Sequence, residues 1–177
     1  METIEAIHTR RSIRDFSDRP VARSLSEALW LDAAHTPPPF AGEAPWTFIV
    51  VQGAERIASL GDQALEYARQ HRPAGSGRAW LDRPDFKVFW NAPVVLFISG
   101  PVGDCCRAGQ VVLLAAHARG LGACWVGSPN LWLATTAAKA ALKIPVEQTV
   151  GAAICLGYAR TIPEARPPAM PHVVWLD

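Results

Sequence analysis

From Asp104 to Gly120 the chain has a helical pattern in which only Arg107, Gln110, His117 and Arg119 are clearly polar. A helix apolar almost all round must be covered on every side, since any open face leaves apolar surface in water. A chain of 177 residues has few elements with which to surround it. The remaining face is therefore expected to pack against a second copy, which makes a homodimer the expected assembly. Asp104 is the expected cap of this helix and Gly120 its expected stop.

The other elements follow from their own patterns. Thr3 is positioned to cap a first helix with Ile4 and Ile7 on one face. Ser24-Leu25-Ser26-Glu27 has the form of a capping box, opening a helix with Leu25, Leu29 and Ala33 inward. Residues 35–45 hold four prolines and a glycine, which forbids regular structure there. Thr47–Val51 is expected as a buried strand, Glu55–Gln70 as a surface helix and Pro93–Ile98 as a second buried strand. Ala123–Val126 and Val150–Cys155 supply two more strands, with a short helix from Ala134 to Leu142 between them. After two initial helices, strands and helices alternate. The expected fold is a single domain over 1–177, an α/β sandwich that is α+β in detail.

Composition excludes several classes. The net charge of +1 gives no broad field toward nucleic acid or an anionic membrane. No apolar run is long enough to span a bilayer, and the start carries no secretory pattern, so a cytoplasmic location is expected. The four cysteines, Cys105, Cys106, Cys124 and Cys155, form no C-x-x-C pair and are expected as buried, reduced thiols rather than metal ligands. No G-x-S-x-G elbow, H-E-x-x-H helix or P-loop is present. Gly120-Leu121-Gly122 ends a helix and precedes a strand, the wrong context for a dinucleotide fingerprint.

What remains is a basic segment with aromatics. His8-Thr-Arg-Arg-Ser-Ile-Arg-Asp-Phe16 places Arg10, Arg11 and Arg14 around the Ser12 hydroxyl, with Ile13 and Phe16 as apolar anchors. Guanidinium forks match phosphate and carboxylate geometry, so the segment suits a clamp on something flat and anionic. A solvated basic face completing a helix dipole is the competing reading. With no evident protein nucleophile or base, the pattern fits a protein whose chemistry belongs to a cofactor.

Several segments in order resemble the nitroreductase family of FMN-dependent oxidoreductases. They are Arg10-Arg11-Ser12-Ile13-Arg14-x-Phe16, Ala44-Pro45-Trp46-Thr47-Phe48, Asn91-Ala92-Pro93-Val94-Val95, and Ala115 to Gly127. Ile144-Pro145, Leu156-Gly157-Tyr158 and Arg166-Pro167 follow. The resemblance implies a central, mostly antiparallel sheet flanked by helices in an intertwined homodimer, with FMN in two pockets at the interface. Arg10 and Ser12 would bind the phosphate or ribityl chain, with Arg11 the least defined of the cluster. Arg14 would lie near N1 and O2 of the isoalloxazine, where a cation favours the negative charge of the reduced ring. Arg166 would close on the phosphate. The backbone at Gly127 and Ser128 would face the ring, Trp125 would be a flavin contact or core packing, and Lys87 would reach the pyrimidine edge.

The implied activity is ping-pong: NADH or NADPH reduces the flavin, then a small electron acceptor such as a nitroaromatic, quinone or enone takes its place. No catalytic side chain and no metal are implied. The loop before Pro45 departs from the family pattern, with Gly42 and Ala44 where Asn and Gln are usual. There Pro38 and Pro39 would form a stiff wall of the substrate pocket, with Phe40 at its mouth. The alternatives are an FMN-binding protein of the same fold without turnover, or other flavin chemistry such as dehalogenation.

Overall fold

Four apolar runs pair into one antiparallel sheet, in the spatial order β1 (Thr47–Gln52), β2 (Val94–Ser99), β4 (Val150–Gly157), β3 (Gly122–Trp125). The computed structural model describes residues 1–37, 46–72, 77 and 79–176. Thr47 lies opposite Ser99, Val94 opposite Leu156, and Gly122 opposite Gly157. Every residue of β2 is buried, because a central strand covered on both faces is apolar without alternation. Val95 and Phe97 enter one core and Val94, Leu96 and Ile98 the other. β1 corrects an expectation. It is an edge strand, half-buried at Phe48, Ile49 and Val51 and exposed at Thr47, Val50 and Gln52. An apolar run shows that a segment pairs as a strand; it does not show whether both neighbours are present.

Helices α1 (Thr3–Thr9), α2 (Arg23–Ala34), α3 (Ala54–Gln70), α4 (Val102–Ala118), α5 (Asn130–Leu133) and α6 (Thr136–Leu142) flank the sheet, with a 3₁₀ turn at Ala79–Asp82. Leu29, Ala33, Val112 and Ala116 of α2 and α4 pack on one face, with Leu96 and Ile154. Ile57, Leu60, Trp132 and Leu142 of α3, α5 and α6 pack on the other, with Phe97 and Ala153. The expected α+β sandwich is present; α5 and the 3₁₀ turn are additions to it.

Helix starts differ from the sequence expectations. α1 is capped by Glu2, whose backbone N–H donates to Glu5 at 3.3 Å, so Thr3 is already helical. Its buried residue is Ala6, while Ile4 and Ile7 face outward. A small residue lets this short helix lie close to α4. α2 begins at Arg23 after Ala22, with no side-chain cap, so Ser24 is inside the helix; Leu29 and Ala33 point inward as expected and Leu25 is half-buried. α4 starts after Pro101, and Asp104 sits buried in its first turn paired with Arg107 instead of capping it. α6 starts later than Ala134 because the Thr135 hydroxyl accepts from the Ala138 N–H at 3.1 Å.

The apolar helix is not enclosed by one chain. Cys105, Ala108, Val112, Leu113 and Ala116 face inward, whereas Gly103, Cys106, Arg107 and Gln110 form an exposed stripe continued by half-buried Leu114 and His117. Cys106 is thus exposed, contrary to the expectation of four buried thiols. Its place on the outward face, beside Arg107 and Gln110, is the reason.

Along the other edge of the sheet lies the arginine segment. Ser12 pairs with Ala123 in a parallel bridge, and the Ile13 N–H donates to the Ala123 carbonyl at 3.0 Å. The approach requires a glycine at 122, since a Cβ there would stand 2.7 Å from Ile13 Cγ1. Gly122→Ala is expected to destabilise the fold by about 1–3 kcal/mol through overpacking. Denaturant unfolding measures this; unchanged stability would contradict the docking.

Candidate active-site cleft

Two buried anchors fix the arginine segment. Ile13 sits on Gly122, and Phe16 forms an antiparallel bridge with Ala159 just beyond β4. With Ile13 and Phe16 turned inward, the polar residues between and before them face the solvent side of the sheet edge. The Phe16 bridge also brings the chain after β4 alongside. The Arg160 N–H donates to the Asp15 carbonyl at 2.9 Å, and the Thr161 hydroxyl donates to Asp15 Oδ2 at 2.6 Å. Arg160 also donates to the Phe16 carbonyl at 3.2 Å. That latch carries Arg166 back toward Arg10.

The result is a cavity of about 350 Å³ lined by Arg10, Arg11, Ser12, Arg14 and Arg166, with Pro163 and Glu164 completing its wall. Four guanidinium groups face one carboxylate there. Among the described residues, none of these arginines is in an ion pair. Arg11 donates to the His8 and Arg10 carbonyls, both at 2.9 Å, which draws its fork toward the helix end. Uncompensated guanidinium groups at this density favour a polyanionic group of phosphate type.

Arg14 also lines a second cavity of about 390 Å³ with Trp80, Arg83, Asp85, Phe86, Trp90, Trp125, Val126, Gly127 and Ser128. One end of the composite cleft is therefore cationic and the other aromatic. Trp125 is held by α4, where a Cβ at Gly109 would come within 2.4 Å of its ring. The Val126 N–H donates to the Ala153 carbonyl at 2.9 Å, the last rung continuing the β3–β4 ladder. After it the Gly127 and Ser128 N–H groups donate to no described residue. Nothing stands within 4 Å of where a Cβ at Gly127 would lie, so that backbone is open to a close-approaching ligand.

Arg10, Arg11, Ser12, Arg14 and Arg166 are thus brought together, and Trp125, Gly127 and Ser128 join them through Arg14. Lys87 is not among them. It lines a separate cavity of about 700 Å³ with Gln52, Glu55 and Asp62, while its neighbour Phe86 borders both cavities. Pro38, Pro39 and Phe40, with Gly42 and Ala44, lie outside the described residues. Sequence reading missed Trp80, Arg83, Asp85, Phe86 and Trp90. The aromatic density of residues 80–90, with Trp80, Phe86, Phe89 and Trp90, was the available signal.

Beneath the cleft, burial pushes the Cys124 thiol up from its ordinary range, while Arg14 and Arg10 pull it down. Cys155, opposite it in the ladder, is raised well above the ordinary thiol range by burial. Both are uncharged packing groups at neutral pH.

The fold matches that of a nitroreductase with bound FMN from Bacteroides fragilis, at a TM-score of 0.86 and 19% identity with both chains covered completely. A nitroreductase with bound FMN from Desulfitobacterium hafniense matches over 100% of both chains, at a TM-score of 0.81 and 23% identity. In sequence, a Methanothermobacter thermautotrophicus protein provisionally named NADH dehydrogenase/NAD(P)H nitroreductase is 34% identical over 94% of this chain and 82% of its own length. The family model for the nitroreductase family matches residues 7–158. The chain belongs to the nitroreductase family.

The buried thiols set an alkaline limit. Burial raises Cys105 to about 11 from 9.0, so the folded state holds a proton that the unfolded chain releases. This contribution to stability is fully present below pH 9 and is lost as pH rises toward 11. Denaturant midpoints measured across that window are expected to fall, and to fall less in Cys105→Ala at matched reference stability. A midpoint independent of pH there would contradict it.

Proposed function

We propose that the protein is an FMN-dependent oxidoreductase that takes electrons from NADH or NADPH and passes them to a small organic acceptor. The single observation that carries this reading is the composite cleft, with uncompensated arginines at one end and an aromatic wall beside an open backbone at the other. Both halves fit the group. Arg10, Ser12 and Arg166 suit a terminal phosphate, with Arg11 flanking them. Arg14, Trp125 and the Gly127–Ser128 backbone suit a planar, polar-edged ring. When bound, FMN supplies two-electron chemistry between a nicotinamide and an acceptor.

The chain's own residues then have separable tasks. Arg10 and Arg166 neutralise phosphate charge from opposite ends of the sequence. Arg14 holds a permanent positive charge at the ring end, where it stabilises negative charge developing on a bound ring. The Gly127 and Ser128 N–H groups offer donors that no described residue occupies. Trp80, Phe86 and Trp90 dry the ring end and give a planar acceptor a surface to stack on. Asp85 is tied to Arg83 at 2.8 Å, and the hydrogen bond from that partner holds its carboxyl below the ordinary range. It is therefore not available as a proton donor at neutral pH.

The active assembly in this reading is a homodimer. Two observations support it: the stripe on α4 that one chain leaves open, and the extended segment 160–176, where Val173, Val174, Trp175 and Leu176 are exposed. Sedimentation is expected to give twice the 19.2 kDa chain mass at micromolar concentration. A concentration-independent monomer would contradict the dimer.

The purified protein is expected to be yellow, to be bleached anaerobically by NADH or NADPH, and to recover its colour when a quinone is added. A yellow protein that neither dinucleotide bleaches would favour a flavin-holding protein without turnover. Protein that takes up no added FMN would overturn the flavin reading.

A further inference from the structure

We propose that Trp90 is a positioning residue: it holds Arg14 at the junction of the two cavities and thereby sets the affinity and potential of the bound flavin. The inference rests on the flavin reading given above. Arg14 is the residue shared by the arginine-lined and aromatic-lined cavities. Within the chain it is weakly held. It is exposed, its hydrogen bond to the Ser12 carbonyl is long at 3.5 Å, its other polar neighbour is the uncharged Cys124 thiol, and no described carboxylate pairs with it. Its guanidinium carbon lies 5.8 Å from the Trp90 ring centroid, within the range of a cation–π interaction.

The ring of Trp90 is itself fixed. It meets Phe86 edge-on at 5.6 Å and 85°, and Phe86 meets Trp80 at 4.8 Å and 65°. The backbone beneath is unusual: Trp90 and Asn91 both lie in the left-handed region, at φ 53° and 52°. A bulky aromatic rarely adopts that conformation, and here the surroundings impose it. The Trp90 N–H donates to the Lys87 carbonyl at 3.1 Å and the Ala92 N–H to the Phe89 carbonyl at 2.9 Å. Buried Phe89 and Ala92 anchor the turn on either side. The consequence is directional. Trp90 projects into the cavity with Arg14, while Asn91 lines the larger cavity behind it. A turn that merely connected to β2 would have no need of an aromatic in a left-handed position. Tryptophan also binds a cation over its face more strongly than the other aromatics.

The test is a double-mutant cycle on the full-length protein, with FMN affinity read by fluorescence titration and midpoint potential by dye equilibration. Trp90→Leu is expected to weaken FMN binding about fivefold and to shift the potential negative, because Arg14 no longer stays at the ring end. In an Arg14→Leu background the same substitution is expected to have a clearly smaller effect on both quantities, leaving only the loss of the aromatic wall. Trp90→Tyr and Trp90→Phe should fall between, in the order of their cation binding; this series carries the test if the leucine variant does not fold. Equal effects of Trp90→Leu with and without Arg14, or unchanged affinity and potential, would overturn the positioning role while leaving the flavin reading intact. Wild-type protein that binds no FMN would overturn both.

Discussion

The site depends on one contact: Ile13 seated on Gly122 at the open edge of the sheet. The parallel bridge at Ser12–Ala123 gives the arginine segment a fixed register against β3. Burial of Ile13 and Phe16 then decides which side chains face outward. Without a glycine at 122 the segment could not approach, and Arg10, Ser12 and Arg14 would have no common wall. A short basic run that alone would be a mobile helix terminus is converted into a fixed wall of the cleft by two apolar anchors and a missing Cβ.

From that contact the cleft extends both ways along the chain. Through the Phe16–Ala159 bridge and the Arg160 latch, the segment after β4 returns Arg166 to the start of the sequence. Through β3, the same register presents the Val126–Gly127–Ser128 backbone beside Arg14. The central strands contribute little chemistry but fix these distances, since β2 and β4 are buried on both sides and cannot shift without opening two cores. The proposed site lies at the edge and rigidity at the centre.

Much of this was legible in the sequence for a physical reason. Periodicity and apolar runs report burial, and burial chose the strands, the order of the helices and the inward face of α2. The arginine segment was legible because Ile13 and Phe16 interrupt it as anchors. Helix starts were less so: Glu2 took the cap from Thr3, and Ala22 preceded α2 where Ser24 had the better motif. Those choices turn on small local energies that the wider packing overrides. Trp90 escaped for a different reason. Which side of a turn a residue faces depends on its φ angle, and two successive left-handed residues that are not glycine are not encoded by any composition rule. Likewise the edge position of β1 and the open stripe of α4 depend on what lies beside them in space.

The central claim is that one cleft has a phosphate end and a ring end, joined at Arg14. Comparing FMN with riboflavin, which lacks the phosphate, tests this most directly. Calorimetric titration of wild type and Arg166→Leu should show FMN preferred by about tenfold to a hundredfold in the wild type, with most of that preference lost in the variant and riboflavin affinity little changed. Equal affinity of the wild type for FMN and riboflavin would contradict the account.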